Sequence, residues 1–145
     1  MSDKTVASLI RGGKVDHVEA DWSVREAIRY MASVKRGAVP VIADGQLVGM
    51  FSERDLMLRV ILADRDPGQT TVREVMSRDL VVAKVDDPIM HCLAMMQKMH
   101  FRHLPVVEEG RLVGVISLRD LMKVDAKAKA EAIDMLHYYV GYSPE

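Results

Sequence analysis

Apolar and polar positions along the chain change period in a fixed order, and the order occurs twice. Positions 24, 27, 28, 31 and 34 are apolar at three-and-four spacing, and so are 89, 92, 93, 96 and 99. That spacing predicts two helices, each burying one face. A short strand is predicted before each helix, at Val15–Val18 and Leu80–Val85. After each helix come two β-rich runs, 39–43 with 47–51 and 104–107 with 112–116, separated by Asp44-Gly45 or Glu109-Gly110. An acidic-Gly pair between two such runs reads as a hairpin turn. Pro40 and Pro105 fall in the first hairpin strand, so that strand must start there or lie locally at an edge. A second helix is predicted to open at Ser52 and at Ser117, and the polar stretch 64–71, with Pro67-Gly68, reads as the linker.

The two halves are copies. Residues 37–57 and 102–122 align without a gap at an offset of 65, with 11 of 21 positions identical. The match extends backwards through Asp21 with Asp86, Ala27 with Cys92 and Met31 with Met96. With one residue of slip it pairs Val6, Leu9 and Ile10 with Val72, Val75 and Met76. A unit of about sixty residues buries only about 60% of the surface its unfolded chain exposes, so the two copies are expected to share one body about a pseudo-two-fold axis. The expected division is 1–66 for the first repeat, 67–125 for the second and 126–145 for a helical tail.

Composition narrows the function. Twenty basic residues against 21 acidic ones give a net charge of -1, which argues against a nucleic acid as main partner, since such binders are normally clearly basic. Apolar runs fall short of a membrane span and the first residues carry no signal-peptide stretch. The single cysteine excludes an internal disulfide or a thiolate metal cage, which suits a reducing, cytoplasmic setting.

Candidate chemistry sits in the repeated Gly-x-x-Ser-x-x-Asp: Gly49, Ser52 and Asp55, then Gly114, Ser117 and Asp120. One reading is a capping box, with the Ser oxygen and the Asp satisfying amides at the helix start. The other reading is a ligand corner. Glycine inside a strand costs about 0.5–1 kcal/mol relative to Ala, and it marks a bulge or a close approach to the backbone. The helix start behind it offers amides to an anion. Arg54 and Arg119 lie in the first turn, where positive charge opposes the helix dipole unless it meets a phosphate. Asp55 and Asp120 are placed to accept both hydroxyls of a vicinal diol such as ribose. Anion site and diol acceptor, made twice, fit a nucleotide.

With the Val-Pro-Val of the first copy, the Leu-Pro-Val of the second, the acidic-Gly turns and the doubled Gly-Ser-Asp, the chain resembles a tandem pair of CBS domains, the cystathionine-beta-synthase-type repeat whose pairs are called Bateman modules. The resemblance covers about residues 5–125. It implies a mixed α/β (α+β) fold of two β-α-β-β-α repeats, here followed by a C-terminal amphipathic helix. It also implies a stand-alone, non-catalytic regulatory module that binds AMP, ADP, ATP or a relative in clefts between the repeats and signals through a disc-like homodimer to a regulated protein. S-adenosylmethionine and dinucleotides are the alternative ligands. Carried over residue by residue, ribose falls to Asp55 and Asp120, and phosphate to Ser52 and Ser117. Base and phosphate contacts fall to Gly37, Ala38 and Val39, and to Arg102, His103 and Leu104. Arg102-His103 against Gly37-Ala38 makes the second copy the stronger expected site, with Lys35 and Arg36, or the neighbouring repeat, as substitutes in the first. A ligand-free interaction scaffold remains the competing reading.

Other residues carry less. The methionines at helical spacing read as core filler, and Cys92, on a buried helix face, as a small hydrophobe. His91, His100, His103 and His137 show no ligand spacing and no paired Cys joins them, so no metal site is expected. Gly12-Gly13-Lys14 lacks the pattern of a phosphate-binding Walker loop. In the tail, Val124, Ala128, Ala132, Leu136 and Val140 recur every four residues beside Tyr138, Tyr139 and Tyr142. That spacing suits a helix folded back on the module or packed on a second chain.

Overall fold

The computed structural model describes residues 4–10, 12–124 and 126–127. Each half builds one three-stranded sheet. In the first, β1 (Val18–Glu19) leads into α1 (Val24–Val34), then β2 (Ala38–Ala43) and β3 (Gln46–Ser52). Helix α2 opens as Glu53–Asp55 and continues with π-helical geometry over Leu56–Ile61. A short α3 (Val72–Val75) follows the linker, and then the plan repeats as β4 (Ala83–Lys84), α4 (Ile89–Met99), β5 (His103–Glu108), β6 (Arg111–Ser117) and a helix α5 from 118 to 124. A 3₁₀ turn, Val6–Leu9, precedes everything.

Each local choice has a visible cause. Ser23 caps α1 by accepting from the Glu26 amide, and the Glu26 side chain reaches back to the Ser23 amide; such a cap contributes about 0.5–2 kcal/mol. The hairpin turns place Asp44 and Gly45, and Glu109 and Gly110, all at positive φ. That is the turn whose twist matches its flanking strands. Pro40 sits in β2, the central strand, but β1 pairs only with Val41 and Ile42, so at Pro40 the strand is locally an edge. The strands that precede α1 and α4 are shorter than the β-rich stretches predicted them to be.

The two halves interlock by exchanging their opening segments. Val6 is buried in the second core with Leu104, Val106, Ile116 and Leu121, while Val72, Val75 and Met76 are buried in the first with Val41, Phe51 and Val60. Residues that align between the repeats thus pack on the opposite repeat, and they do so reciprocally: Ile10 lies over Gly114 and Met76 over Gly49. Reciprocal contacts of this kind mark an approximate two-fold relation. The sheets meet where β3 runs beside β6. Of the predicted buried face of α4, Ile89, Cys92, Leu93 and Met96 are buried but Met99 is exposed. Nearly all of the tail, including its tyrosines, lies outside the described residues.

Candidate functional site

The exchange leaves two clefts, and each joins the Asp of one repeat to the pre-proline strand of the other. The first, about 610 Å³, has Asp120 and Gly114 on one side and Ala38, Val39 and Pro40 on the other. The second, about 570 Å³, has Ser52, Arg54 and Asp55 facing Arg102 and His103. His103 reaches both clefts, and so does Ala38. Both volumes fall within the range of small-molecule sites, about 300–1,000 Å³.

Both Ser-x-x-Asp elements form capping boxes. Ser52 Oγ accepts from the Asp55 amide at 3.3 Å, and the Ser52 amide donates to Asp55 Oδ2 at 3.0 Å. In the second copy the corresponding distances are 3.0 and 3.4 Å. The next amide of each helix is also taken: Glu53 N–H donates to the Gly37 carbonyl at 2.9 Å and Leu118 N–H to the Arg102 carbonyl at 2.8 Å. Few amides at these helix starts are left for an anion, so a phosphate has to be met mainly by side chains.

Beyond the cap the two corners part. Asp55 is only 7% exposed. Its Oδ2 also accepts from Ser52 Oγ at 3.1 Å, its Oδ1 accepts from Ser77 Oγ at 3.0 Å, and Arg59 Nε stands 3.7 Å from that same oxygen. Asp120 is exposed, and among the described residues nothing reaches its Oδ1.

The predicted site residues sort accordingly. Asp120, His103, Ala38 and Val39 come together in the first cleft. Asp55, Ser52, Arg54, Gly37 and Arg102 come together in the second, again with His103 and Ala38. Arg102, grouped with Asp120 by sequence position, therefore stands across from Asp55. Ser117 and Arg119 border neither cleft, and Leu104 is core. The glycines are explained by the chain itself: a Cβ on Gly49 would lie 2.8 Å from the Ser77 carbonyl, and one on Gly114 would lie 2.5 Å from Ile10 Cδ1.

Three cations of the first cleft come from outside the motif: Lys14, Arg36 and Lys123, against Asp16 and Asp120. Of these, Arg36 was foreseen only as a substitute phosphate contact for the first copy. Arg36 Nε lies 3.4 Å from Asp16 Oδ2 and the Tyr30 hydroxyl donates to Asp16 Oδ1 at 3.0 Å, which fixes that wall. Burial, aided by Asp16, raises the Tyr30 pKa, so the hydroxyl stays a donor. Burial also lowers the His103 pKa, with Arg36 and Arg102 adding to it and Asp120 opposing. The second cleft is more acidic, with Glu53, Asp55 and Asp79 against Arg54 and Arg102. Among the described residues no His, Cys, Asp and Glu cluster suits a metal ion. Cys92 is buried, and burial raises its thiol pKa, as an unreactive cysteine requires. The signal for Lys14 was its place in the loop where the repeat alignment breaks; Ser77 and Arg59 gave none within the motif.

Two matched units, exchanged at their opening segments and enclosing two clefts, define a paired-repeat module. The family model described as CBS domain matches residues 9–61 and 72–127, so the chain belongs to the CBS-domain family and is a CBS-pair regulatory module. It is 37% identical over 108 residues to the CBS domain-containing protein YhcV of Bacillus subtilis, covering 74% of this chain and 76% of that one. The crystal structure of the CBS-domain containing protein ATU1752 from Agrobacterium tumefaciens superposes with a TM-score of 0.74 at 34% identity, covering 84% of this chain and 99% of that one. CBSX2 from Arabidopsis thaliana, crystallised in complex with AMP, shares the fold at 23% identity and a TM-score of 0.74, covering 87% and 98%. No helix among the described residues is long and apolar enough to cross a membrane.

Proposed function

We propose that this CBS pair binds an adenosine nucleotide in the Asp120 cleft and passes the bound state on through the shape of a homodimer to a regulated protein, without catalysis of its own and in the cytoplasm. The observation that carries the reading is the Asp120 carboxylate. It is held at one oxygen by its own helix start and, among the described residues, open at the other, in a cleft with Lys14, Arg36 and Lys123. An open carboxylate accepts ribose hydroxyls and the cations receive phosphate. The AMP complex of CBSX2 supports the ligand class. Binding shifts a dimer only by its differential affinity for the two shapes.

For the dimer surface, α2 and the residue that ends it expose Met57, Leu58, Ile61 and Leu62 at 53%, 44%, 54% and 68%, an apolar face left uncovered among the described residues. Leu62→Asp is expected to lower the mass measured by light scattering from dimer to monomer; an unchanged mass removes that face from the interface.

The ligand is tested by melting scans against AMP, ADP, ATP, S-adenosylmethionine and a dinucleotide. At a hundred times the dissociation constant a ligand stabilises by about 2.7 kcal/mol, which at about 2–4 °C per kcal/mol is a shift of several degrees. A flat scan at millimolar concentration favours the second reading, a ligand-free interaction scaffold, which the two intact capping boxes support.

A further inference from the structure

We propose that the chain takes one nucleotide, in the Asp120 cleft, and that the Asp55 cleft is closed to ribose by two of the chain's own side chains, Ser77 and Arg59. The inference rests on the nucleotide reading above and adds occupancy to it.

The argument is a count of acceptor sites. A carboxylate has about four lone-pair positions. On Asp55, Oδ2 receives the Ser52 amide and the Ser52 hydroxyl, while Oδ1 receives the Ser77 hydroxyl and faces the Arg59 guanidinium. A diol approaching this carboxylate must displace Ser77 or Arg59. Neither leaves freely, because Arg59 Nη1 also donates to the Met76 carbonyl at 3.0 Å and Ser77 pairs through its backbone with Met50 at 2.8 and 3.0 Å. Together these contacts tie the segment 75–77 to the α2 helix start. Asp55 therefore serves as a latch between the opening segment of the second repeat and the first repeat, filling with protein groups the positions a sugar would use.

Among the described residues, the second copy shows no such latch. The residue that aligns with Arg59 is Val124, which packs against the second core. Charge points the same way, with three cations in the Asp120 cleft against two in the more acidic Asp55 cleft.

The test is calorimetric titration of the full chain with AMP and with ATP. One site per chain is expected. Asp120→Asn is expected to weaken binding about ten- to a hundredfold, the loss of hydrogen bonds to a charged group, whereas Asp55→Asn leaves the dissociation constant within about twofold. The double variant of Ser77→Ala with Arg59→Val, the second change matched to Val124, is expected to raise the stoichiometry to two. Two sites in the wild-type chain, or binding lost with Asp55→Asn and kept with Asp120→Asn, overturns the occupancy while leaving the nucleotide function standing. A double variant that stays at one site removes Ser77 and Arg59 as the closing groups. No heat with any adenosine compound ends the function reading and the inference with it. Wild-type stoichiometry decides the main point even if a variant fails to fold.

Discussion

Asp55 and Asp120 stand at the same place in two copies of one motif, 65 positions apart, one turn into a helix capped by the serine before it. The cap is common to both because it needs only the Ser and the Asp themselves. What differs is supplied from elsewhere in the chain: Ser77 from the opening segment of the second repeat and Arg59 one helical turn on close over Asp55, while with Val124 at the matching place Asp120 stays open among the described residues. A repeated motif thus fixes the backbone of a corner, and the residues outside it decide whether the corner serves stability or a ligand. Each prediction below sets one corner against the other.

The largest difference is expected for Asp55→Ala against Asp120→Ala. Removing the buried Asp55 leaves the part-buried Ser77 hydroxyl and Ser52 amide without their acceptor and the half-exposed Arg59 guanidinium without its counter-charge. Breaking a buried, hydrogen-bonded charge costs about 3 kcal/mol or more, a fall of about 6–12 °C in melting temperature. Asp120→Ala removes an exposed cap and costs about 0.5–1 kcal/mol. Equal losses by calorimetric melting would show that Asp55 is no latch.

Next are the glycines. A Cβ at Gly49 meets the Ser77 backbone oxygen, which cannot move without breaking the Met50–Ser77 pairing, whereas one at Gly114 meets only the end of the Ile10 side chain, which can rotate away. Gly49→Ala is expected to cost about 2–3 kcal/mol and Gly114→Ala about 1 kcal/mol, both in the range of overpacking. Urea unfolding with unchanged slope gives both values; a larger loss at Gly114 contradicts the assignment.

The fold was legible because its signals are local or repeated: the three-and-four spacing of Val24, Ala27 and Met31, the Asp44-Gly45 and Glu109-Gly110 turns, and the offset that aligns Ser52 with Ser117. The crossing of opening segments was not. Val6 and Val72 are equivalent hydrophobic positions, and nothing in their own neighbourhood says which of two similar cores they enter. That choice sets which strand faces which Asp, so Arg102 came out opposite Asp55 and not beside Asp120. Arg59 and Ser77 were invisible for a related reason: they lie where the repeats differ, and a doubled motif marks only the positions where the repeats agree.

A third test converts one corner into the other. Val124→Arg places a guanidinium one turn beyond Asp120, where Arg59 stands relative to Asp55. A solvent-exposed ion pair contributes about 0.2–1 kcal/mol, so nucleotide binding is expected to weaken about two- to fivefold in the same titration. Binding unchanged or tightened would mean that the cation assists phosphate more than it blocks ribose.

The smallest effect is a proton. His103 borders both clefts, and burial, Arg36 and Arg102 lower its pKa while Asp120 pulls it back up. The unfolded chain holds this proton nearer the ordinary value of 6.5, so between the two values it binds more protons than the folded chain, and stability must fall as pH falls through that window. Above the ordinary value both states are neutral and the effect is absent. The slope of melting temperature against pH below neutrality is therefore expected to flatten in His103→Gln. The imidazole also tells the corners apart. Its midpoint followed by proton NMR is expected to move lower in Asp120→Asn, which removes the one group that raises it, and to stay in place in Asp55→Asn, whose carboxylate is already bound by Ser52, Ser77 and Arg59. A midpoint that responds to Asp55 instead would mean that its charge reaches into the cleft, and that the latch is open in solution.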